Sequence, residues 1–165
     1  MEESRTEARS FLKESHDLAL WMIQLADTKA DILVVASAIL AGLLVPEAVR
    51  TSNAVAQGIL ILAVGLALLS TGMSLATVFP RTTPKEHSSL LYFVAIMEFK
   101  SGEKYLAHVQ GFKSGELDRE LAQQAWELAH TQAKKYRYLR AGVVTFVVCL
   151  AATLAGVLLT LVPGL

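Results

Sequence analysis

One cysteine, Cys149, stands inside an apolar run, so neither an intrachain disulfide nor a cysteine-based metal cluster can form. There is no excess of either charge: 15 Lys and Arg balance 15 Asp and Glu, which removes the bulk basic field that a nucleic-acid partner calls for. The opening residues Met1-Glu2-Glu3-Ser4-Arg5 lead into no apolar core and no small-residue cleavage site, so no cleavable signal peptide is expected. Enzyme signatures are also missing. There is no Gly-rich phosphate loop, no Gly-x-Ser-x-Gly and no His-Glu-x-x-His, and His16, His87, His108 and His130 fall at no metal-ligand spacing. Catalysis and metal binding are therefore not expected.

What the chain does have is apolar length. Of its 165 residues 53% are hydrophobic and 18% charged, and the mean hydropathy is +0.45, which places it among small integral membrane proteins. Residues 6–30 read as one helix, with Phe11, Leu18, Met22 and Leu25 on one side, widened by Leu12, Ala19, Ile23 and Ala26. Neither Gly nor Pro separates it from the apolar run Ile32–Val45, so it is expected to continue as a first span, about 31–47, with an exit at Pro46-Glu47. Asp27, Lys29 and Asp31 stand one turn before that run. A charge at the centre of a spanning helix costs roughly 2.5–3.5 kcal/mol, so these groups must reach headgroups, water or a partner. A second span is expected at about 54–79 and a third at about 141–161, and neither carries Asp, Glu, Lys, Arg or His. Gly58, Gly65 and Gly72, and then Gly142, Cys149 and Gly156, recur every seven residues and read as small faces for close helix packing.

The Pro46–Asn53 connection has one basic residue, Arg50, whereas the N-terminal helix and the segment 81–140 hold nearly all the others, so the positive-inside rule places both in the cytoplasm and the C-terminus outside. The expected fold is all-α: three transmembrane helices, N-in and C-out, with a cytoplasmic helical head over 81–140. In the head Leu90–Met97 is an apolar knot, Ser101 reads as the N-cap of a short helix through Gln110, and Ser114 as the cap of a long one. Leu117, Leu121, Ala125, Leu128 and Leu139 give that last helix a seam suited to the N-terminal helix. Lys134, Lys135, Arg137 and Arg140, with Tyr136 and Tyr138, suit a membrane surface.

Ala26-Asp27-Thr28-Lys29-Ala30 before the first span, Pro80-Arg81 after the second, Leu91-Tyr92-Phe93-x-x-Ile96, Tyr105-Leu106 and the run Gln123–Arg140 ending Lys-Lys-Tyr-Arg-Tyr-Leu-Arg together resemble the Pycsar transmembrane effector domain over nearly the whole chain. The resemblance implies a bacterial anti-phage effector in the inner membrane. Such an effector answers a cyclic pyrimidine nucleotide, cCMP or cUMP, from a partner cyclase, and impairs the membrane so that the infected cell stops growing or dies. No β-rich cyclic-nucleotide module is present, so sensing falls to the helical head or to another protein. On that premise Lys29, Arg81, Lys134 and Arg137 are candidates for the ligand's phosphate, Tyr92, Phe93 and Trp21 for stacking, and Asp27 for orienting the base. For Asp27 and Lys29 an interhelical ion pair is the other reading, and for the aromatics core packing. Small-residue faces point to a homo-oligomer. A second class of function stays open, a non-enzymatic membrane anchor or regulatory subunit for a cytosolic enzyme. A constitutive channel fits less well with uncharged spans and no inverted repeat.

Overall fold

The computed structural model describes residues 2–79, 96, 98–112 and 114–161. Among the described residues the helices with assigned bounds are α1 (Glu2–Arg50), α2 (Ala54–Val78), α3 (Gly102–Gln110) and α4 (Ser114–Leu161). Among the described residues there is no strand. Three of these helices, α1, α2 and α4, are long and apolar enough to cross a membrane. The chain packs as two compact units, residues 1–23 with 80–133 and residues 24–79 with 134–165.

In the second unit the helix-forming pattern and the packing pattern coincide. Asn53 caps α2, its Oδ1 accepting from the N–H groups of Val55 (3.0 Å) and Ala56 (3.1 Å), two of the donors a helix start leaves without partners. Along α2 the buried set is Ala56, Leu60, Ala63, Ala67, Ser70, Ser74 and Thr77, alternating steps of four and three, which is one continuous face. On α1 the buried set is Ala26, Ala30, Leu33, Ser37, Ala41, Leu44 and Ala48. Most of these side chains are small, so the backbones approach closely and dispersion replaces the hydrophobic drive that lipid does not supply. One cluster joins Ala41, Leu44 and Ala48 of α1, Leu60, Ala63 and Ala67 of α2, and Cys149 of α4. Another joins Ala26, Ala30 and Leu33 to Leu139, with Tyr136, Phe146 and Val78 against it.

Hydroxyl groups stitch the three helices. Ser37 Oγ donates to Ser70 Oγ (3.2 Å), Ser70 Oγ donates to the Gly142 carbonyl (3.0 Å), and Cys149 Sγ donates to the Ala63 carbonyl (3.1 Å). Each interhelical bond of this kind is worth only about 0.6 kcal/mol in a membrane protein, so the packed face dominates and the bonds set register. The pairs run antiparallel between α1 and α2 and parallel between α1 and α4 within this unit.

Two details depart from the sequence reading. α1 does not end at Pro46-Glu47 but runs to Arg50 with Pro46 inside it. Proline removes one ladder bond. Beyond it the turn is held by Thr51, whose N–H and Oγ1 both donate to the Glu47 carbonyl (3.1 and 2.8 Å), and by Gln57 Nε2 donating to the Ala48 carbonyl (3.1 Å). The glycine faces also separate. A Cβ on Gly142 or Gly156 would meet neighbouring helices, whereas one on Gly58, Gly65 or Gly72 would meet nothing within 4 Å, so the α2 glycines line an open side.

In the first unit Ser101 caps α3 as expected, its Oγ accepting from Lys104 N–H (3.4 Å), and α3 runs through Gln110. α4 starts at Ser114 itself. Phe99 packs on Tyr105 and His108 (ring centroids 5.3 and 5.2 Å), and His108 on Phe112 (5.2 Å). Arg9 Nε donates to Asp118 Oδ1 at 2.8 Å, with the two side chains 47% and 23% exposed. A pair this open contributes about 0–1 kcal/mol, so Arg9→Ala is expected to change the unfolding free energy by less than about 1 kcal/mol in detergent melts. On α1 the side that packs is the one with Ala19, while Phe11, Leu18 and Trp21 are exposed, Trp21 by 56%. The core-packing reading of Trp21 is therefore corrected. Apart from Ile96, the Leu90–Met97 knot lies outside the described residues, as do Arg81, Tyr92 and Phe93.

Candidate functional site

Ionisable groups gather on α1 and α4 at the start of the second unit. Asp27 lies between the fully buried Ala26 and Ala30, which fixes its side of α1 toward the neighbouring helix. There Lys135 of α4 places Nζ 2.6 Å from Asp27 Oδ1 and 2.7 Å from Oδ2, so one ammonium bridges both carboxylate oxygens. The side chains are 17% (Lys135) and 32% (Asp27) exposed. Partial removal from water strengthens the attraction well beyond that of a surface pair. The interhelical reading of Asp27 thus describes its surroundings, with Lys135 as the partner.

Lys29 is not part of this pair. Residues two apart on a helix do not share a face, and Lys29 is exposed, like Asp31. On α4, Lys134, Arg137 and Arg140 are exposed as well, one residue or more out of phase with Lys135. Tyr136 is half-buried against Leu139 and the α1 alanines, while Tyr138 is exposed. Of the residues singled out in the sequence, the structure pairs Asp27 with Lys135 and leaves Lys29, Lys134 and Arg137 exposed on α1 and α4. Arg81, Tyr92 and Phe93 lie outside the described residues. Lys135 stood in the basic run but nothing in one sequence ties it to Asp27, 108 residues away.

The first unit holds a cavity of about 200 Å³ lined by Arg9 of α1, Tyr105 and Val109 of α3, Phe112, and Leu117, Glu120 and Leu121 of α4. Four-residue steps put Tyr105 and Val109 on one face of α3, and Leu117 and Leu121 on one face of α4. The wall is aliphatic and aromatic, with one guanidinium and one carboxylate. A wall of this kind suits a flat ring with a polar or charged substituent. Leu117 and Leu121 were legible as a packing seam and Tyr105 as part of a motif. Arg9, Val109, Phe112 and Glu120 were not, because each is ordinary in its own helix and gains meaning only by convergence.

The sequence pattern of one protein family, the Pycsar effector protein domain, matches residues 11–162, which include most of both units. No curated protein and no solved structure matches the chain.

Proposed function

The chain belongs to the Pycsar effector protein domain family, and from that premise we propose that a cyclic pyrimidine nucleotide, cCMP or cUMP, switches it to a state that impairs the bacterial inner membrane and ends growth of the infected cell. The family is one of anti-phage effectors associated with a membrane and a partner cyclase. In this reading the chain performs no catalysis; it converts ligand binding into movement of spans.

The observation that carries the reading is the continuity of α1 and α4. They have 49 and 48 residues, and at 1.5 Å per residue each makes about 70 Å of helix, more than twice the roughly 30 Å hydrocarbon core. Each of these helices has more residues than one span needs, so the same helix supplies both an aqueous element and a span, and a ligand that prefers one arrangement of the aqueous parts biases the spans. In the proposed orientation residues 6–30 and 81–140 are cytoplasmic and the C-terminus is outside. Support comes from Lys29, Lys134, Lys135, Arg137 and Arg140 at one end of the spans, against Arg50 alone at the other. The exposed Lys29, Lys134 and Arg137 suit lipid phosphates at the membrane surface. Assembly of several copies belongs to the proposal. The open Gly58, Gly65 and Gly72 side of α2 supports it, since small residues admit a close helix from another copy.

The test is growth and membrane-dye uptake in bacteria expressing the chain with and without an active pyrimidine cyclase. Uptake that requires the cyclase is the expected result. A chain that is present in the membrane and gives no cyclase-dependent uptake would instead fit the anchoring or regulatory subunit.

A further inference from the structure

We infer that the cavity between α1, α3 and α4 in the first unit is the seat of the activating nucleotide, with the base against Tyr105 and Phe112, the cyclic phosphate at Arg9 and a polar edge of base or ribose at Glu120. This rests on the nucleotide reading above and assigns its site.

The chemistry of the pocket and of the ligand class correspond part by part. A cyclic mononucleotide presents a flat ring, a sugar and a phosphodiester with a single negative charge. At about 200 Å³ the cavity is smaller than the roughly 300–1,000 Å³ of drug-sized sites, so it admits one ring and leaves the charged end at the mouth. Arg9 is the residue suited to that end: its side chain is 47% exposed, and Asp118 receives its Nε–H at 2.8 Å, which orients the guanidinium plane. A planar guanidinium recognises a phosphodiester through paired N–H donors. Glu120 accepts from an N–H or O–H, which a pyrimidine edge or a ribose hydroxyl supplies. Stacking on an aromatic side chain contributes about 1–3 kcal/mol per base and tolerates either pyrimidine.

Position gives the cavity its regulatory value. Arg9 comes from α1, while Leu121 and Glu120 come from α4, so one occupant touches both of the helices that continue as spans. Binding there favours whichever arrangement of α1 and α4 in this unit closes on the ring, and an equal affinity for all arrangements would shift nothing.

The experiment is calorimetric titration of the purified full chain in lipid nanodiscs with cCMP and with cUMP. Wild type is compared with Leu121→Trp, which fills the cavity, Arg9→Gln, which removes the cation, and Lys134→Ala/Arg137→Ala, which removes exposed cations of the other unit. Helix content and melting temperature are recorded for each. Saturable binding by wild type to at least one nucleotide is expected. Leu121→Trp and Arg9→Gln should weaken it by about tenfold or more, because a charge-assisted hydrogen bond or the ring's seat is lost, and the Lys134/Arg137 variant should stay within about threefold. Arg9→Gln keeps the test open should Leu121→Trp not fold. Wild-type affinity in folded Leu121→Trp and Arg9→Gln overturns the assignment, as does loss confined to the Lys134/Arg137 variant or absence of wild-type binding. The effector reading is judged separately: cyclase-dependent dye uptake that survives in the cavity variants removes this site and leaves that reading standing.

Discussion

Asp27→Ala is expected to lower the unfolding free energy by about 2–3 kcal/mol, the larger part of it from stranding the Lys135 ammonium rather than from losing attraction. Removing one partner of a fully buried pair costs about 3–5 kcal/mol, and the partial exposure of this one, 17% and 32%, moves the figure down. The double variant Asp27→Leu/Lys135→Leu should recover most of that loss, since two well-packed apolar side chains replace a pair that had to be drawn out of water. A double-mutant cycle read by thermal melting in detergent gives the coupling directly. If Asp27→Ala melts like wild type, the two helices do not depend on this pair. In the proposed switch the variant also bears on signalling, because the pair ties α1 to α4.

The other large effect is steric. A Cβ at Gly156 would stand 2.8 Å from Leu60 Cδ2, 2.9 Å from its Cγ and 3.4 Å from Ile59 Cγ2. Leu60 is 1% exposed and has nowhere to turn. Gly156→Val is therefore expected to destabilise the three-helix packing by about 1–3 kcal/mol, the usual cost of overfilling a packed core. Gly65→Val supplies the contrast. Its Cβ meets nothing within 4 Å, so its monomer stability should stay near wild type, and in the proposed assembly it should shift the species seen by mass photometry toward monomer. Equal melting of Gly156→Val and wild type would contradict the packing of α2 against α4.

The spans, and the passage of α1 into the first of them, were legible because a long apolar run has no alternative to a helix in lipid and neither Gly nor Pro separates residues 6–30 from the run that starts at Ile32. Ser101 was legible as a cap for a local reason, its hydroxyl and the following turn being neighbours in sequence. What was not legible depended on partners. Glycines every seven residues on α2 and small residues every seven on α4 are the same signal, yet one set is packed and the other open, since periodicity marks a face without saying what it faces. Phe11 and Ala19 lie on adjoining sides of one wheel, and the side that is buried is that of Ala19, while Phe11 is exposed. Pro46 marked an end that α1 passes, because Thr51 and Gln57, beyond the proline, bond its last carbonyls. The Asp27–Lys135 pair and the convergence of Arg9 on Tyr105, Phe112 and Glu120 each join α1 to residues 96 or more positions away, and one sequence carries no record of such contacts.

The measurement closest to the central claim uses the purified chain alone in liposomes of bacterial inner-membrane lipid loaded with a self-quenched dye. Addition of cCMP or cUMP to vesicles with the nucleotide-facing unit outward is expected to release dye in a saturable way. Linear CMP or UMP, or the Leu121→Trp variant, should leave the vesicles tight. Vesicles that hold the chain and stay sealed at saturating concentrations of both cyclic nucleotides would contradict the claim that ligand binding to this chain is converted into damage to the membrane.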